Sequence, residues 1–173
     1  LGPASEGERT VQLIAAVDRN WAIGRDGDQL AYLTADLKRF KALTTAHTVI
    51  LGRRTLATFP GGRPLKNRRN LILSRDPSFT VEGGEVFRSL TEALSAAPED
   101  TFVLGGGSVY AQAVDACDTA YVTRIHTAFP GVDCWFPDLD KDPAWQIVET
   151  DGPYVWGEVA YSYLTYRRVA PTA

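Results

Sequence analysis

Residues 33–43 read Leu-Thr-Ala-Asp-Leu-Lys-Arg-Phe-Lys-Ala-Leu, and this stretch has the pattern of an amphipathic helix. Leu37 and Phe40 are three residues apart and share one face, and Leu43 continues the apolar stripe. Thr34 suits the N-cap position because its hydroxyl can accept a hydrogen bond from a free amide of the first turn. We therefore predict that a helix starts here and packs its apolar face on the rest of the protein.

Asp36 lies in the first turn of this predicted helix, one residue before Leu37 and four before Phe40. Its carboxylate gains from the helix N-terminus, and its position places it at the edge of the apolar face. Two interpretations are open at this point. Asp36 is either a solvated surface acid or a carboxylate at the rim of an apolar pocket, where it can bind or protonate a ligand.

Length and composition indicate one ordinary folded domain. The chain has 173 residues, of which 45% are hydrophobic and 23% charged, enough for a single domain with a full core. The net charge of −3 argues against a nucleic-acid partner, and no apolar run is long enough to cross a membrane. Residues 1–10 are small and polar, so we interpret them as a tag remnant or flexible lead-in and place the domain at residues 11–170.

The cysteines and histidines give no sign of a metal site. Cys117 and Cys134 fit no metal-ligand spacing, and His47 and His126 flank predicted strands. Without a secretory signal, the cysteines are most simply reduced thiols of a cytoplasmic protein, with one disulfide as the alternative. We expect a monomer, because the sequence has no heptad pattern and no exposed apolar stripe.

Apolar runs alternate with helical patterns along the first two thirds of the chain. The predicted strands cover residues 11–17, 48–51, 70–74, 86–87, 101–104 and 119–125. Helices are predicted from Thr34, after Gly52, and over residues 89–97 and 109–114, while residues 18–28 form a long loop that is a candidate lid. Residues 145–150 and 159–166 have the alternating pattern of antiparallel strands, separated by Asp151-Gly152-Pro153. This order predicts an α/β sheet with helices on both faces and an antiparallel pair at its edge.

Three predicted strands end in residues that suit phosphate binding. Gly105-Gly106-Gly107-Ser108 follows one strand, Gly52-Arg53-Arg54-Thr55 follows a second, and Ser74-Arg75 closes a third. Amides with no Cβ nearby can approach a pyrophosphate, and ligands of open α/β sheets bind beyond the carboxyl ends of the strands. Each motif alone is weak, since the glycines could form a tight turn and the arginines could be solvated. Together they indicate an anion with several phosphates.

Taken in order, these pieces resemble the dihydrofolate reductase family across nearly all of residues 11–169. The matching motifs are Leu13-Ile14-Ala15-Ala16, Trp21-Ala22-Ile23-Gly24, Ala35-Asp36-Leu37 with Phe40-Lys41, Leu51-Gly52-Arg53-Arg54-Thr55, Arg63-Pro64-Leu65, Arg68-Arg69-Asn70, Leu73-Ser74-Arg75, Gly105-Gly106-Gly107-Ser108-Val109-Tyr110, Tyr121-Val122-Thr123 and Trp135-Phe136-Pro137. The resemblance implies a single-domain three-layer α/β sandwich, with a mostly parallel central sheet, an antiparallel C-terminal strand pair and helices on both faces. It also implies that NADPH reduces 7,8-dihydrofolate to tetrahydrofolate.

The resemblance further implies residue roles. Asp36, supported by the Thr123 hydroxyl, would hold the 2-amino and N3 groups of the pterin and promote protonation at N5. The substrate pocket would consist of Ile14, Ala16, Phe40, Phe59 and Leu104, with Arg68 on the α-carboxylate of the glutamate tail. The NADPH site, in which Gly105 and Gly106 are joined by a cis peptide, would consist of Ala16, Ile23, Gly24, Gly52, Arg53, Arg54, Thr55, Leu73, Ser74, Arg75, Gly105, Gly106, Gly107, Ser108, Val109 and Tyr110.

Two expectations about charge follow from these roles. Arg53 and Arg75 would bind the adenosine phosphates, so NADPH should be preferred over NADH. In the cofactor complex, burial beside Leu37 and Phe40 should raise the pKa of Asp36 by more than the helix N-terminus and Thr123 lower it.

The chain departs from the family just before the substrate helix. The family usually has Trp where this chain has Ala31, and Pro where it has Thr34, and Tyr32 could replace the Trp if the loop shifts by one residue. Two alternatives stay open. A pyrimidine reductase of riboflavin synthesis has the same fold but would not need Asp36, Arg68 and Thr123 together, and a nucleotide-binding relative without catalysis is supported only by the altered residues 29–34.

Overall fold

The central strand β1 (Gln12–Val17) is the apolar run that the sequence predicts to be buried on both faces. The structure is a computed structural model that describes residues 11–169, so the predicted lead-in at residues 1–10 and the last residue of the predicted domain lie outside the described residues. The other strands are β2 (Ala22–Arg25), β3 (Asp28–Gln29), β4 (Thr48–Gly52), β5 (Arg69–Leu73), β6 (Gly84–Phe87), β7 (Phe102–Gly105), β8 (Thr119–Ile125), β9 (Cys134–Trp135), β10 (Trp145–Trp156) and β11 (Val159–Arg168). The α-helices are α1 (Thr34–Thr44), α2 (Arg53–Ala57), α3 (Leu90–Ala96) and α4 (Gly107–Ala113).

Eight strands form one sheet in the order β10-β11-β8-β1-β7-β4-β5-β6. Neighbouring strands from β8 to β6 are parallel, whereas β11 is antiparallel to β8 and β10 is antiparallel to β11. This arrangement confirms the predicted mostly parallel sheet with an antiparallel C-terminal pair. The carboxyl ends of its parallel strands meet at one edge, where ligands of such sheets bind.

Helices cover both faces of this sheet, as predicted. One apolar cluster joins the strands to α3 and α4 and includes Leu13 and Leu90. The other joins the strands to α1 and α2 and includes Ile14 and Leu56. Leu13 and Ile14 are neighbours that belong to different clusters, because successive residues of a strand point to opposite faces. No helix in the described range is long and apolar enough to cross a membrane.

Residues 18–28 are not the uninterrupted loop that the sequence predicts. They contain β2 and β3, which pair with each other, and β2 also pairs with β9 in a separate three-stranded sheet. The three strands have only four, two and two residues. Their pairing depends on a segment far along the chain, so the local sequence carries little signal for them.

The hairpin of the C-terminal pair lies later than predicted. β10 runs through Asp151-Gly152-Pro153, and the chain reverses near Gly157, whose φ of 60° favours glycine. The strand pairing shifts between Asp151 and Tyr154, so Pro153 lies at a bulge of an edge strand. Proline is tolerated there because it need not donate to the ladder.

The start of α1 also differs from the prediction. Leu33, not Thr34, is the N-cap residue, and no side chain caps the helix. Leu33 is buried in a cluster with Ile125, Tyr161 and Tyr163, so packing against β8 and β11 determines where the helix begins. Leu37 is 43% exposed and faces an open cavity, although the sequence predicts that it packs.

Candidate active site

A cavity of about 1700 Å³ lies at the carboxyl ends of the parallel strands. It exceeds the ~300–1000 Å³ of an ordinary small-molecule pocket, so two ligands can lie in it side by side. Every site residue predicted from the sequence lines this cavity: Ile14, Ala16, Ile23, Gly24, Asp36, Phe40, Gly52, Arg53, Arg54, Thr55, Phe59, Arg68, Leu73, Ser74, Arg75, Leu104, Gly105, Gly106, Gly107, Ser108, Val109, Tyr110 and Thr123.

Asp36 and Thr123 form the polar centre of one half of the cavity. Thr123 lies on β8, opposite Ala16 of β1, and its hydroxyl donates a 2.5 Å hydrogen bond to Asp36 Oδ1. Burial raises the pKa of Asp36 above its ordinary value, while the Thr123 hydrogen bond and the positive charge of Arg39 act in the opposite direction. The expected direction of the shift is confirmed, and Asp36 is not a solvated surface acid.

Apolar side chains surround this carboxylate. Ile14 of β1 and Leu104 of β7 are buried, and Phe40 and Phe59 pack against the same cluster from α1 and from the segment after α2. The sequence places these residues on different elements, and the fold brings them to one wall of the cavity. The wall can hold a flat heterocycle against the polar pair.

Arg68 lies at the outer end of this half. Its Nε donates to Thr44 Oγ1 at 2.9 Å, and one terminal nitrogen donates to the Lys66 carbonyl at 2.8 Å. No carboxylate oxygen lies within ion-pairing distance of Arg68 in residues 11–169. Partial burial lowers the pKa of Arg68 from its ordinary value, and an arginine guanidinium stays protonated in proteins. Arg68 is therefore held in place with a positive charge that can pair with an anionic ligand.

The other half of the cavity is built from the glycine-rich turn. Gly105 and Gly106 are joined by a cis peptide, as the family resemblance implies. A Cβ on either glycine would lie 3.4 Å from Thr55 Oγ1, which is a tight contact. Glycine at both positions therefore leaves the backbone amides open to a ligand. α4 starts directly after this turn.

Tyr110 lines the cavity, and its hydroxyl bonds to the protein backbone. Its hydroxyl lies 2.7 Å from the carbonyl oxygens of both Ile14 and Leu104, and the side chain is buried. One phenolic proton is shared between carbonyls of β1 and β7, and burial raises the pKa of this phenol. The hydroxyl is thus used within the protein, so the part of Tyr110 that can contact a ligand is its ring.

Four arginines surround the far end of this half: Arg53, Arg54, Arg75 and Arg88. The Arg53 guanidinium lies 3.9 Å over the Phe79 ring and 3.4 Å from Asp76 Oδ2, where both charged groups are about half exposed. The Ser74 hydroxyl accepts a 3.2 Å hydrogen bond from the Asp76 amide. The net positive charge of this end suits a phosphate ligand.

The loop before α1 shows how the altered residues are arranged. Ala31 packs beside the cluster of Leu33 and Ile125. Tyr32 is 45% exposed, and its hydroxyl donates to the Asp28 carboxylate. Both residues line the cavity, and the bond to Asp28 orients the Tyr32 hydroxyl towards β3.

Sequence reasoning missed Arg39 and Arg88, which also line the cavity. Arg39 is three residues after Asp36, so helical spacing could have identified it as a neighbour. Arg88 directly follows β6, and the strand-end rule that identified Arg53 and Arg75 would have identified it too. No group of three His, Cys, Asp or Glu side chains within the described residues is arranged to hold a metal ion.

Comparisons with known proteins agree with this geometry. The family model described as dihydrofolate reductase matches residues 10–168. The dihydrofolate reductase of Bacillus subtilis is 36% identical over 143 residues, which are 82% of this chain and 83% of that protein. Dihydrofolate reductase type 3 of Salmonella typhimurium is 41% identical over 141 residues, 80% of this chain and 85% of that protein.

A solved structure is similar as well. Dihydrofolate reductase from Enterococcus faecalis, complexed with NADP(H) and RAB-propyl, superposes with a TM-score of 0.82 at 37% identity. The match covers 94% of this chain and 97% of that one. Because the family model and these relatives span most of the chain, this chain belongs to the dihydrofolate reductase family.

Proposed function

We propose that this chain reduces 7,8-dihydrofolate to tetrahydrofolate with NADPH. The observation that carries the proposal is the partly buried Asp36–Thr123 pair, which faces an apolar wall in a cavity that continues to the glycine-rich turn and the arginines. A pyrimidine reductase would not need the Asp36–Thr123 pair and a free Arg68 in the same cavity.

The pterin would bind against the apolar wall with its polar edge on Asp36. The 2-amino and N3 groups of a pterin are neighbouring donors that match the two oxygens of one carboxylate, and Thr123 fixes the orientation of that carboxylate. Arg68 would pair with the α-carboxylate of the glutamate tail, because its guanidinium is positioned by Thr44 and Lys66 and has no protein carboxylate as partner in the described range.

The residues of the other half fit NADPH. Gly105 and Gly106 leave room for a pyrophosphate, and Arg53 and Arg75 offer positive charge for a phosphate on the adenosine. Asp76 is an internal partner of Arg53 at an exposed position, so a phosphate dianion can displace it at little cost. When bound, the cofactor supplies a hydride from nicotinamide C4 to pterin C6.

The protein's part in the reaction is to orient the pterin and to keep a proton available. The raised pKa of Asp36 makes the protonated carboxyl more populated near neutral pH than it would be in water. The apolar wall limits water around the heterocycle, and protonation of pterin N5 is promoted by the same carboxyl group. Asp36 and Thr123 are therefore the proposed catalytic residues.

We further propose that residues 11–170 are one domain that acts as a cytoplasmic monomer without a nucleic-acid partner. The negative net charge supports the last point, and the two cysteines are free in the structure, as in a reducing compartment.

A single absorbance assay tests the reaction. NADPH oxidation is followed with 7,8-dihydrofolate, with a ribosylated aminopyrimidine, and with neither compound. We expect oxidation with dihydrofolate alone. Oxidation only with the aminopyrimidine would identify a pyrimidine reductase, and NADPH binding without oxidation in any sample would identify a non-catalytic relative.

A further inference from the structure

Arg39 has a defined place beside the catalytic pair. Its guanidinium carbon lies 4.2 Å from the centroid of the Tyr163 ring and 5.9 Å from that of Tyr121. Tyr163 of β11 is directly opposite Thr123 of β8, and Tyr121 precedes Thr123 by two residues. All three side chains therefore project from the same face of the sheet, so the two rings flank Thr123 beneath α1.

Helix α1 places Arg39 next to the Asp36 carboxylate. Arg39 and Asp36 are three residues apart on α1, so their side chains lie on one side of the helix. Both line the cavity, and Arg39 is only partly exposed. The guanidinium thus lies on an aromatic surface within reach of Asp36, but outside direct ion-pair contact among the described residues.

We propose that Arg39 is a positioning residue, held on Tyr163 and Tyr121, that places a fixed positive charge beside Asp36 and so retains part of the ionised carboxylate for pterin binding. The proposal deepens the proposed function and rests on it for the pterin. A planar guanidinium stacks on an aromatic ring and still presents its charge at the edge, which an ammonium does less well. Burial opposes the charged form of Asp36, and Arg39 offsets part of this effect.

Other groups near Asp36 do not supply this charge. Thr123 donates a hydrogen bond but is neutral, Tyr163 is a neutral phenol whose pKa is raised to about 12, and Ala16 on β1 has no titratable group. In the preceding loop, Asp28 and Tyr32 bond to each other, and this bond lowers the pKa of Asp28, so the charge there is negative.

The test is a direct titration of Asp36 in the full chain, by the ¹³C chemical shift of its side-chain carboxyl. Arg39→Met should raise the titration midpoint by about 1 pH unit, the lower end of what an opposite charge within ~4–6 Å produces. Arg39→Lys should have a smaller shift than Arg39→Met, because an ammonium keeps the charge but stacks less well on the rings. The matched control is Lys38→Met, which removes a positive charge next to Arg39 in the sequence. Lys38 is exposed and does not line the cavity.

Tyr163→Leu is the second variant, since it removes the ring and leaves Arg39 in place. It should move the midpoint upward by less than Arg39→Met. Unchanged midpoints in both variants, or an equal shift in Lys38→Met, would overturn the proposal. The titration needs no substrate, so it is read independently of the turnover assay, whose pH midpoint with dihydrofolate should rise in Arg39→Met by a similar amount.

Discussion

Thr123 of β8 donates a 2.5 Å hydrogen bond to Asp36 in the first turn of α1, and so joins the central sheet to the helix that carries the proposed catalytic acid. Thr123→Val retains the shape of the side chain but removes the donor. A hydrogen bond to a charged group contributes ~1.5–3 kcal/mol, so dihydrofolate should bind roughly 10–100-fold more weakly. Equilibrium titration of the binding measures this effect, and unchanged affinity would show that the hydrogen bond does not support the pterin.

Asp36→Asn should make the ligand-free protein more stable at neutral pH. Because folding raises the pKa of Asp36 above its ordinary value of 3.8, the folded state favours the protonated carboxyl. The resulting stability is fully present below pH 3.8 and is lost as the pH rises through the folded-state pKa. Asn does not titrate, so the melting temperature of the variant relative to wild type should increase with pH. A difference that is constant with pH would contradict the prediction.

The predicted site residues line one cavity, whereas the predicted boundaries of several elements differ from the observed ones. The predicted ends of β8 match the observed ones, because its β-branched and aromatic residues form a strong local strand signal. The strand-end motifs around Gly52, Ser74 and Gly105 met in one cavity because parallel strands share an edge. In contrast, the N-cap of α1 is Leu33, which packs against Tyr161 and Tyr163, and no local pattern encodes these contacts.

Arg68→Leu should weaken binding of dihydrofolate and hardly affect an analogue without the glutamate tail. The lost charge-assisted pair predicts roughly a 10–100-fold increase in the Michaelis constant for dihydrofolate. Thr44→Val is the matched control, since it removes a hydrogen-bond partner of Arg68 and keeps the charge. If Arg68→Leu weakens the binding of both ligands by the same factor, Arg68 is structural or the substrate is not a folate.

Replacement of both Arg53 and Arg75 by Ala should reduce the preference for NADPH. Each arginine–phosphate bond contributes ~1.5–3 kcal/mol, so the Michaelis constant for NADPH should increase strongly and that for NADH very little. Arg69→Ala is the control, because Arg69 is ion-paired with Glu85 and does not line the cavity. An equal increase in the Michaelis constants for NADPH and NADH would show that Arg53 and Arg75 do not bind the additional phosphate of NADPH.

Ala31→Trp should tighten dihydrofolate binding, because Ala31 lines the open cavity and leaves space that an indole can fill. Tyr32→Ala should change binding little, since Tyr32 is 45% exposed and its hydroxyl is bound to Asp28. The dihydrofolate affinity and the melting temperature of each variant test these two expectations. If both changes weaken binding, Tyr32 occupies the space of the indole, and Ala31→Trp overpacks it at a cost of ~1–3 kcal/mol.

The most direct test of the proposed reaction is the pH profile of dihydrofolate-dependent NADPH oxidation for wild type and Asp36→Asn. Wild-type turnover should decrease as the pH rises through an apparent pKa above the ordinary aspartate value of ~4. The variant should be ~10²–10⁴-fold slower at neutral pH, the range for a positioned acid–base group. A wild-type profile that is flat from about pH 5 to about pH 9, or a variant within a few-fold of wild type, would contradict the role of Asp36.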